Sequence, residues 1–379
     1  MSRAIVVYSL EPWDGIWRRN QYLVDGLLRR RADLRVVFVE PARDHAHDLL
    51  ARRATQRAAG LRAAPGYDGR LLLFQPSKWL PRAAGPFADA LLRRSVSRAL
   101  RKAGITDVVR WVNDPGWAHA VVHSADPAIY DITDDWLAAD RAPRQLARLA
   151  RNEDDLFRLC EAVVVCSPEL QERKRVHRAD IVLIPNAVDV QRYRTPVARP
   201  ADLPTGAVAL YAGTLHEDRL DVTLTVKTAA AVHDAGGSVV LLGPIALSPA
   251  NREALERAPG VRLTGPRDYS EVPAYLQHAD VLIVPHLVDG FTDSLDPIKL
   301  YEYLAVGRPI VSTPVAGFRD TESEAIRLAP RAQFPAAVAA AMAARVAPVD
   351  APVASWDDRC DMLWQVLRPI VAPVSAPGL

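Results

Sequence analysis

Short apolar runs alternate with amphipathic segments along this whole chain, and that rhythm admits few folds. AIVVYSL opens it, the helix-like WRRNQYLVDGLLRRRA follows, and RVVFVEP comes next. After a basic, alanine-rich region (Ala42–Gly66), RLLLFQP, VVRWVN (Val108–Asn113), AIYDITD (Ala128–Asp134), AVVVCS (Ala162–Ser167) and IVLIPN (Ile181–Asn186) complete a first set. Runs apolar on both faces, spaced by helical segments, predict strands of a parallel sheet covered by helices.

The stretch TPVARPADLPTG (Thr195–Gly206) reads as a proline-rich linker. A second, more regular set follows it: AVALYAGT, SVVLLGP, VRLTGP, DVLIVPH and RPIVST. The prediction is two Rossmann-like α/β domains, over residues 1–196 and 197–348. An amphipathic helix in 349–372 (SWDDRCDMLWQVLRPIV) follows, and the tail APVSAPGL is expected to be disordered. A chain of 379 residues is long enough for two such cores.

Composition narrows the function classes. A formal charge of +2 excludes the basic excess of a dedicated nucleic-acid binder. Only five lysines stand among 47 basic residues, so each is conspicuous. The three cysteines have no metal-ligand spacing and suit a reduced, cytoplasmic compartment. Neither a signal peptide nor a membrane span is expected. The arginine-rich helices predicted over Ala51–Arg62 and Ala88–Arg101 are read mainly as solvated faces, with peripheral contact to an anionic membrane as the alternative.

Several catalytic signatures are absent: G-x-G-x-x-G after the first strand, the Walker lysine motif, H-E-x-x-H, G-x-S-x-G and D-x-D. What stands out instead is DSLDPIKLYEYLAVGRPIVST (Asp293–Thr313). Asp296-Pro297 predicts an N-cap and first helical residue, with the helix running to Val306 and stopping at Gly307. Lys299 then lies in the first turn, where a cation costs a few tenths to about 1 kcal/mol against the helix dipole. Glu302, three residues on, shares its face. A surface ion pair would be the plainest use of the two. A ligand with a phosphate and a ribose would use the ammonium and the carboxylate separately.

LDPIKLYEYLAVGRPIVST resembles the donor-site motif of bacterial GT-B glycosyltransferases, N-P-x-K-x-Y-E-Y-L-A-x-G-x-P-V-V. Further segments agree in order: YDITDDW with an N-terminal element, AVVVCSPELQERKR and IPNAVDVQRY with the interdomain region, LYAGTLHEDRLD with the start of the C-terminal domain, and SWDDR with its crossing helix. The chain is similar to retaining family-four transferases and to teichuronic-acid-type or xanthan glucuronosyl-type transferases. The resemblance implies a GT-B architecture, two Rossmann-like domains facing each other across a cleft. It also implies transfer of a sugar from a nucleotide diphosphate donor, UDP- or GDP-linked, without a metal or other cofactor.

Lys299 then matches the pyrophosphate-binding lysine and Glu302 the ribose-binding glutamate. Arg219 falls where the family often has a second phosphate cation, with pairing to Asp218 or Asp221 as its structural alternative. Gly213 and His216 lie on the same donor-side loop, and Ser294 and Leu295 precede the motif. The family's E-x7-E is not kept: counting back from Glu302 gives Ser294, with Asp293 adjacent. Asp289, Gly290, Phe291 and Thr292 are expected to line the sugar-facing loop.

In the N-terminal domain, Trp13, Gly15, Trp17, Arg18 and Gln21 follow the first strand: Gly15 is expected to let the backbone approach the donor phosphates and Arg18 or Gln21 to contact donor or acceptor, with core anchoring for the tryptophans and a turn role for Gly15 as the alternative. Asp131, Asp134 and Asp135 are the candidate catalytic carboxylates, as base or acceptor-positioning groups. At least one of them is expected to cap a helix starting at Trp136. Asn113 and Asp114 are further acceptor-side candidates. The functional expectation is a retaining transferase. Its partners would be a nucleotide-sugar donor and a small-molecule, glycan or lipid-linked acceptor, and its state monomer or homodimer. An inverting transferase with an N-domain aspartate base, a nucleotide-sugar epimerase and a silent binding module are the alternatives.

Overall fold

The structure, a computed structural model, describes residues 3–45, 48, 58–80, 85–138, 141–290 and 292–372. The chain divides into two compact units, Met1–Pro185 with Asp357–Leu379, and Asn186–Trp356.

The first unit holds strands β1 (Ala4–Tyr8), β2 (Val36–Val39), β3 (Arg43–Asp44), β4 (Gly60–Ala63), β5 (Leu71–Gln75), β6 (Ser77–Lys78), β7 (Val108–Val112), β8 (Ala128–Ile132), β9 (Ala162–Val165) and β10 (Val182–Leu183). Eight of them form one sheet in the order β10-β9-β8-β7-β1-β2-β5-β4. All its pairings are parallel except β4 with β5. β1 pairs with β2 on one side and β7 on the other, and every residue of AIVVY is buried. That position explains a strand apolar on both faces.

Helices α1 (Arg19–Arg30), α2 (Pro86–Lys102), α3 (Ala118–Val122), α4 (Pro143–Leu159) and α5 (Pro168–Lys174) connect these strands. The C-terminal helix Trp356–Val371 packs on α1, with Arg31 lying 4.7 Å over the Trp364 ring. The approach is close: a Cβ on Gly26 would meet Cys360 Sγ at 2.3 Å. Glycine is required there by contact, not by backbone conformation.

The second unit is a six-stranded, all-parallel sheet in the order β15-β13-β11-β16-β17-β18. Its strands are β11 (Ala207–Ala212), β13 (Gly237–Leu242), β15 (Val261–Gly265), β16 (Val281–Val284), β17 (Ile310–Ser312) and β18 (Ile326–Leu328), with the short pair β12 (Leu215–His216) and β14 (Ile245–Ala246) beside it. Helices α6 (Val190–Arg194), α7 (Val222–Asp234), α8 (Pro249–Arg257), α9 (Val272–Gln277), α10 (Ile298–Val306) and α11 (Phe334–Ala344) belong to it.

Three local expectations are corrected. The unit boundary falls at Pro185/Asn186, before the proline-rich stretch. That stretch is fastened to the second unit, where Val197 N–H donates to Gln277, Arg199 donates to the His278 carbonyl and Leu203 is buried. No helix fills the end of Ala51–Arg62: Gly60–Ala63 is a strand antiparallel to β5, while residues 51–57 and the tail 373–379 lie outside the described residues. Residues 136–138 form a turn, so no helix starts at Trp136. Among the described residues no helix is long and apolar enough to cross a membrane.

Candidate active site

In the second unit, the carboxyl ends of β11 and β16 and the first turn of α10 converge on Lys299. The helix starts one residue later than expected. Pro297 is its N-cap, and the Asp296 side chain accepts from Asn186 N–H and Tyr301 Oη instead of capping. Lys299 is therefore the second helical residue. Gly307 ends the helix as expected, in the left-handed conformation at φ 74°.

Lys299 is half-buried and lies 4.0 Å above the Tyr211 ring. Its Nζ donates to Tyr211 Oη at 2.8 Å and stands 3.3 Å from His286 Nε2. Tyr211 Oη is 3.1 Å from the same His286 nitrogen. With the lysine donating to Tyr211, the tyrosine proton has two acceptors in reach, His286 Nε2 and the Thr214 carbonyl at 3.4 Å. Burial, with Lys299 and Arg219 nearby, holds the His286 imidazole well below its usual range. Burial and Arg219 likewise hold the Lys299 ammonium well below the lysine range, with Glu302 acting in the opposite sense.

The ion pair that helical spacing would allow does not form. Among the described residues Lys299 has no carboxylate within ion-pair distance. Glu302 instead accepts a hydrogen bond from Tyr193 Oη at 2.6 Å. Burial pushes its carboxyl up, and Tyr193 and Lys299 pull it back. Gly213, immediately after β11, has φ 140°, and a Cβ there would come within 3.1 Å of Lys299 Nζ. The floor beside the lysine is thus open backbone.

Other donor-side residues are partly engaged. Asp218 Oδ1 is shared by His216 Nδ1 at 2.8 Å and Arg219 Nε at 3.0 Å. Arg219 is held through its backbone, whose carbonyl accepts from Leu287 N–H. Thr292 is buried, and its Oγ1 donates to the Leu287 carbonyl, so it braces the 287–294 loop. Asp293 pairs with Arg319 at 2.6 Å, Ser294 is fully buried and Leu295 is half-buried. Asp289 and Gly290 are exposed, and Phe291 lies outside the described residues.

In the first unit the structure brings Asn113 and Asp131 together at the carboxyl ends of β7 and β8. Asn113 Oδ1 accepts from Asn20 Nδ2 at 2.8 Å, and its Nδ2 donates to the Asp131 carbonyl. Asp131 is fully buried. Arg19 holds it at 3.1 and 3.3 Å, and Trp111 Nε1 adds a third donor at 3.2 Å. Asp135 is buried against Lys174 at 3.1 Å and Arg173 at 3.2 Å, and Lys174 also meets Glu153 at 2.9 Å. Asp134 accepts from the Thr133 hydroxyl. Asp114 caps the short turn after β7 by accepting from Gly116 N–H.

The loop after β1 is built on itself. Gln21 donates to the Pro12 carbonyl and accepts from Arg18 N–H, and Arg18 meets Glu11 and Asp14, each at 3.4 Å. Trp13 packs edge-on against Phe38 and Tyr67, and Trp17 against Tyr22. Gly15 is exposed with open space around it. Glu11 was not expected as a site residue. Burial, with Asp134 and Asp14 nearby, pushes its carboxyl up to about 7 against the pull of Arg18.

A signal for His286 and Glu11 was present in the sequence, since they lie two and three residues past the ends of β16 and β1. Tyr193 and Arg19 carried none. Among the described residues no group of three or more His, Cys, Asp or Glu side chains is placed to hold a metal ion.

Residues 206–347, which include Lys299 and Glu302, match the family described as "Glycosyl transferases group 1". The chain is 24% identical over 216 residues to a putative teichuronic acid biosynthesis glycosyltransferase, TuaH, of Bacillus subtilis (strain 168). That alignment spans 54% of this chain and 54% of the relative, about half the length of each. Among solved structures, the catalytic domain of starch synthase IV from Arabidopsis thaliana, bound to ADP and acarbose, superposes with a TM-score of 0.66 at 12% identity, covering 98% of this chain and all of the other. A UDP-forming α,α-trehalose-phosphate synthase from Burkholderia vietnamiensis gives 0.60 at 15% identity, over 98% and 96%. With two Rossmann-like α/β units and these superpositions over nearly its whole length, the chain has the GT-B fold.

Proposed function

We propose that this protein is a glycosyltransferase that moves a sugar from a nucleoside diphosphate sugar to an acceptor hydroxyl, with the donor held by the Asn186–Trp356 unit. One observation carries the reading. Lys299 is a partly buried cation at a helix N-terminus, next to Arg219 and without a carboxylate partner among the described residues. Such an arrangement is costly alone and favourable with a diphosphate in place. The solved relatives add a consistent element, since one holds ADP and the other is UDP-forming.

In this reading Lys299 and Arg219 take the diphosphate oxygens, and the open backbone at Gly213 lets phosphate approach. The Glu302 oxygen that Tyr193 leaves open accepts from ribose hydroxyls. The bond from the anomeric carbon to phosphate breaks, the acceptor oxygen bonds to that carbon, its proton passes to an oxygen of the departing diphosphate, and the two cations stabilise that leaving group without a metal. His216, Ser294, Leu295 and Thr292 support the donor loop, with Asp293 toward the sugar. Gly15 lets backbone approach the donor phosphates, and Trp13, Arg18 and Asn113 serve the acceptor.

Retention of configuration is favoured over inversion by an aspartate. Asp131 and Asp135 are each engaged in ion pairs with neighbouring cations, which occupies oxygens that would otherwise face an acceptor hydroxyl. An inverting reaction remains the second reading because of Glu11, whose carboxyl sits near 7. A cytoplasmic setting, a UDP or GDP donor and a small-molecule, glycan or lipid-linked acceptor belong to the same proposal.

The test is a thermal-shift screen with nucleoside diphosphates and nucleotide sugars, repeated on Lys299→Ala. At least one nucleotide should stabilise the wild-type chain and fail to stabilise the variant. Stabilisation by none, or equal stabilisation of both, overturns the reading.

A further inference from the structure

The first unit contains a cavity of about 210 Å³ between α2, α3 and the sheet, with Tyr8, Arg93, Arg94, Ser97, Arg110 and His123 on its wall. Neither Asn113 nor Asp131 lines it, so it is separate from the acceptor-side residues described above. No carboxylate is among its lining residues. Arg110 is fixed in place by Asp126 at 2.6 Å and by a hydrogen bond to the buried Tyr8 hydroxyl.

Arg93, Arg94 and His123 are different. Among the described residues none of their side chains makes a hydrogen bond or an ion pair. The carboxylate one helical turn before Arg93 is Asp89, and Arg148 already holds both its oxygens at 2.8 and 2.9 Å. His119 is pushed down to about 4 by burial, then by Arg93, Arg148 and His123 against the pull of Asp89.

We infer that this cavity binds a phosphate monoester-type anion. Two guanidinium forks without carboxylate partners, a serine hydroxyl and an imidazole come from α2 and the end of α3, with the anchored Arg110 behind them. A dianion with three terminal oxygens can accept from these donors on different sides, and a monocarboxylate can satisfy fewer of them. The phosphate could be soluble or could belong to a lipid headgroup. Phe87 and Leu91, 62% and 41% exposed, lie on α2 at the spacing that continues to Arg94. They would enter the apolar edge of a bilayer if the phosphate is a lipid's.

The experiment uses the full chain carrying Lys299→Ala, which removes phosphate binding at the other unit. Inorganic phosphate is titrated calorimetrically, with acetate as the comparison. In parallel the protein is sedimented with phosphatidylcholine vesicles, with and without phosphatidic acid. Saturable phosphate binding, weakened at least about tenfold by Arg93→Gln and by Arg94→Gln, supports a soluble phosphate ligand. Sedimentation only with phosphatidic acid, lost in the same two variants, supports the headgroup. Three results overturn the inference: binding in neither arm, acetate binding as tightly as phosphate, or binding that both variants retain. Arg93 and Arg94 are not in the protein core, so circular dichroism should show both variants folded.

Discussion

Lys299 Nζ lies 2.8 Å from Tyr211 Oη and 4.0 Å above the centre of the same ring, so one tyrosine serves the cation twice. Neither contact neutralises it. The unliganded protein therefore carries a cation it stabilises poorly, and stability and donor binding should move in opposite directions on substitution. Lys299→Met should raise the unfolding midpoint of the free protein. It should also weaken nucleoside diphosphate binding by roughly one to two orders of magnitude, the loss expected for a charge-assisted contact of about 1.5–3 kcal/mol. Tyr211→Phe keeps the ring and loses the hydroxyl, so its binding defect should be several-fold at most. A Lys299→Met protein that is destabilised and still binds would contradict this account.

The same cluster gives a pH dependence with a definite sign. Lys299 and His286 both titrate below their ordinary values of 10.5 and 6.5 in the folded protein. Below those values the unfolded chain binds protons that the folded chain refuses, so folding stability falls as pH drops through each window. Acid below about 6.5 should therefore destabilise the wild-type chain more steeply than His286→Asn. A bound diphosphate raises the lysine back toward its ordinary value, so binding takes up a proton and affinity increases as pH falls between the free and bound values. Calorimetry in buffers of different ionisation heat checks this. Identical heats in every buffer would rule the linkage out.

Gly213→Ala tests the floor of the site. Its φ of 140° is unsuited to a side chain, and the new methyl would stand 3.1 Å from Lys299 Nζ. The strain alone should cost about 1–3 kcal/mol of stability, which urea unfolding measures. Donor affinity should fall further than in Tyr211→Phe, because the methyl occupies the path of approaching phosphate. Unchanged affinity would mean that phosphate does not pass over Gly213.

The strands of both sheets were legible because burial on two faces leaves an uninterrupted apolar run, as in AIVVY. Lys299 and Glu302 were legible for a local reason: a cation in a first helical turn is a misfit within a few residues of chain. What surrounds them was not. Tyr193 reaches Glu302 across 109 residues and Tyr211 reaches Lys299 across 88, and no spacing rule spans such distances. The aspartates of YDITDDW show the same limit from the other side. Their position suggested a base, but Arg19, 112 residues away, and Lys174, 39 residues away, decide what Asp131 and Asp135 can do. The prolines of residues 195–206 misled for a related reason. Composition marks irregular backbone, and only tertiary contacts such as the burial of Leu203 show that it is fastened to one unit.

Glu11 separates the two stereochemical readings. Its carboxyl, pushed to about 7, is ionised in only part of the population at neutral pH. If it removes the acceptor proton, the rate should climb with pH through that value and level off above it. Glu11→Gln should then lower kcat by roughly 10²–10⁴-fold, the contribution of a positioned general base, and abolish the rise. The product's anomeric configuration, read by proton NMR, would be inverted relative to the donor. If transfer retains configuration, as favoured here, Glu11→Gln should change kcat less than about tenfold. The pH profile should then show no limb that depends on Glu11, and the variant's profile should match that of the wild type. A retained product together with a hundredfold loss in Glu11→Gln would fit neither reading and would require Glu11 to act on the donor.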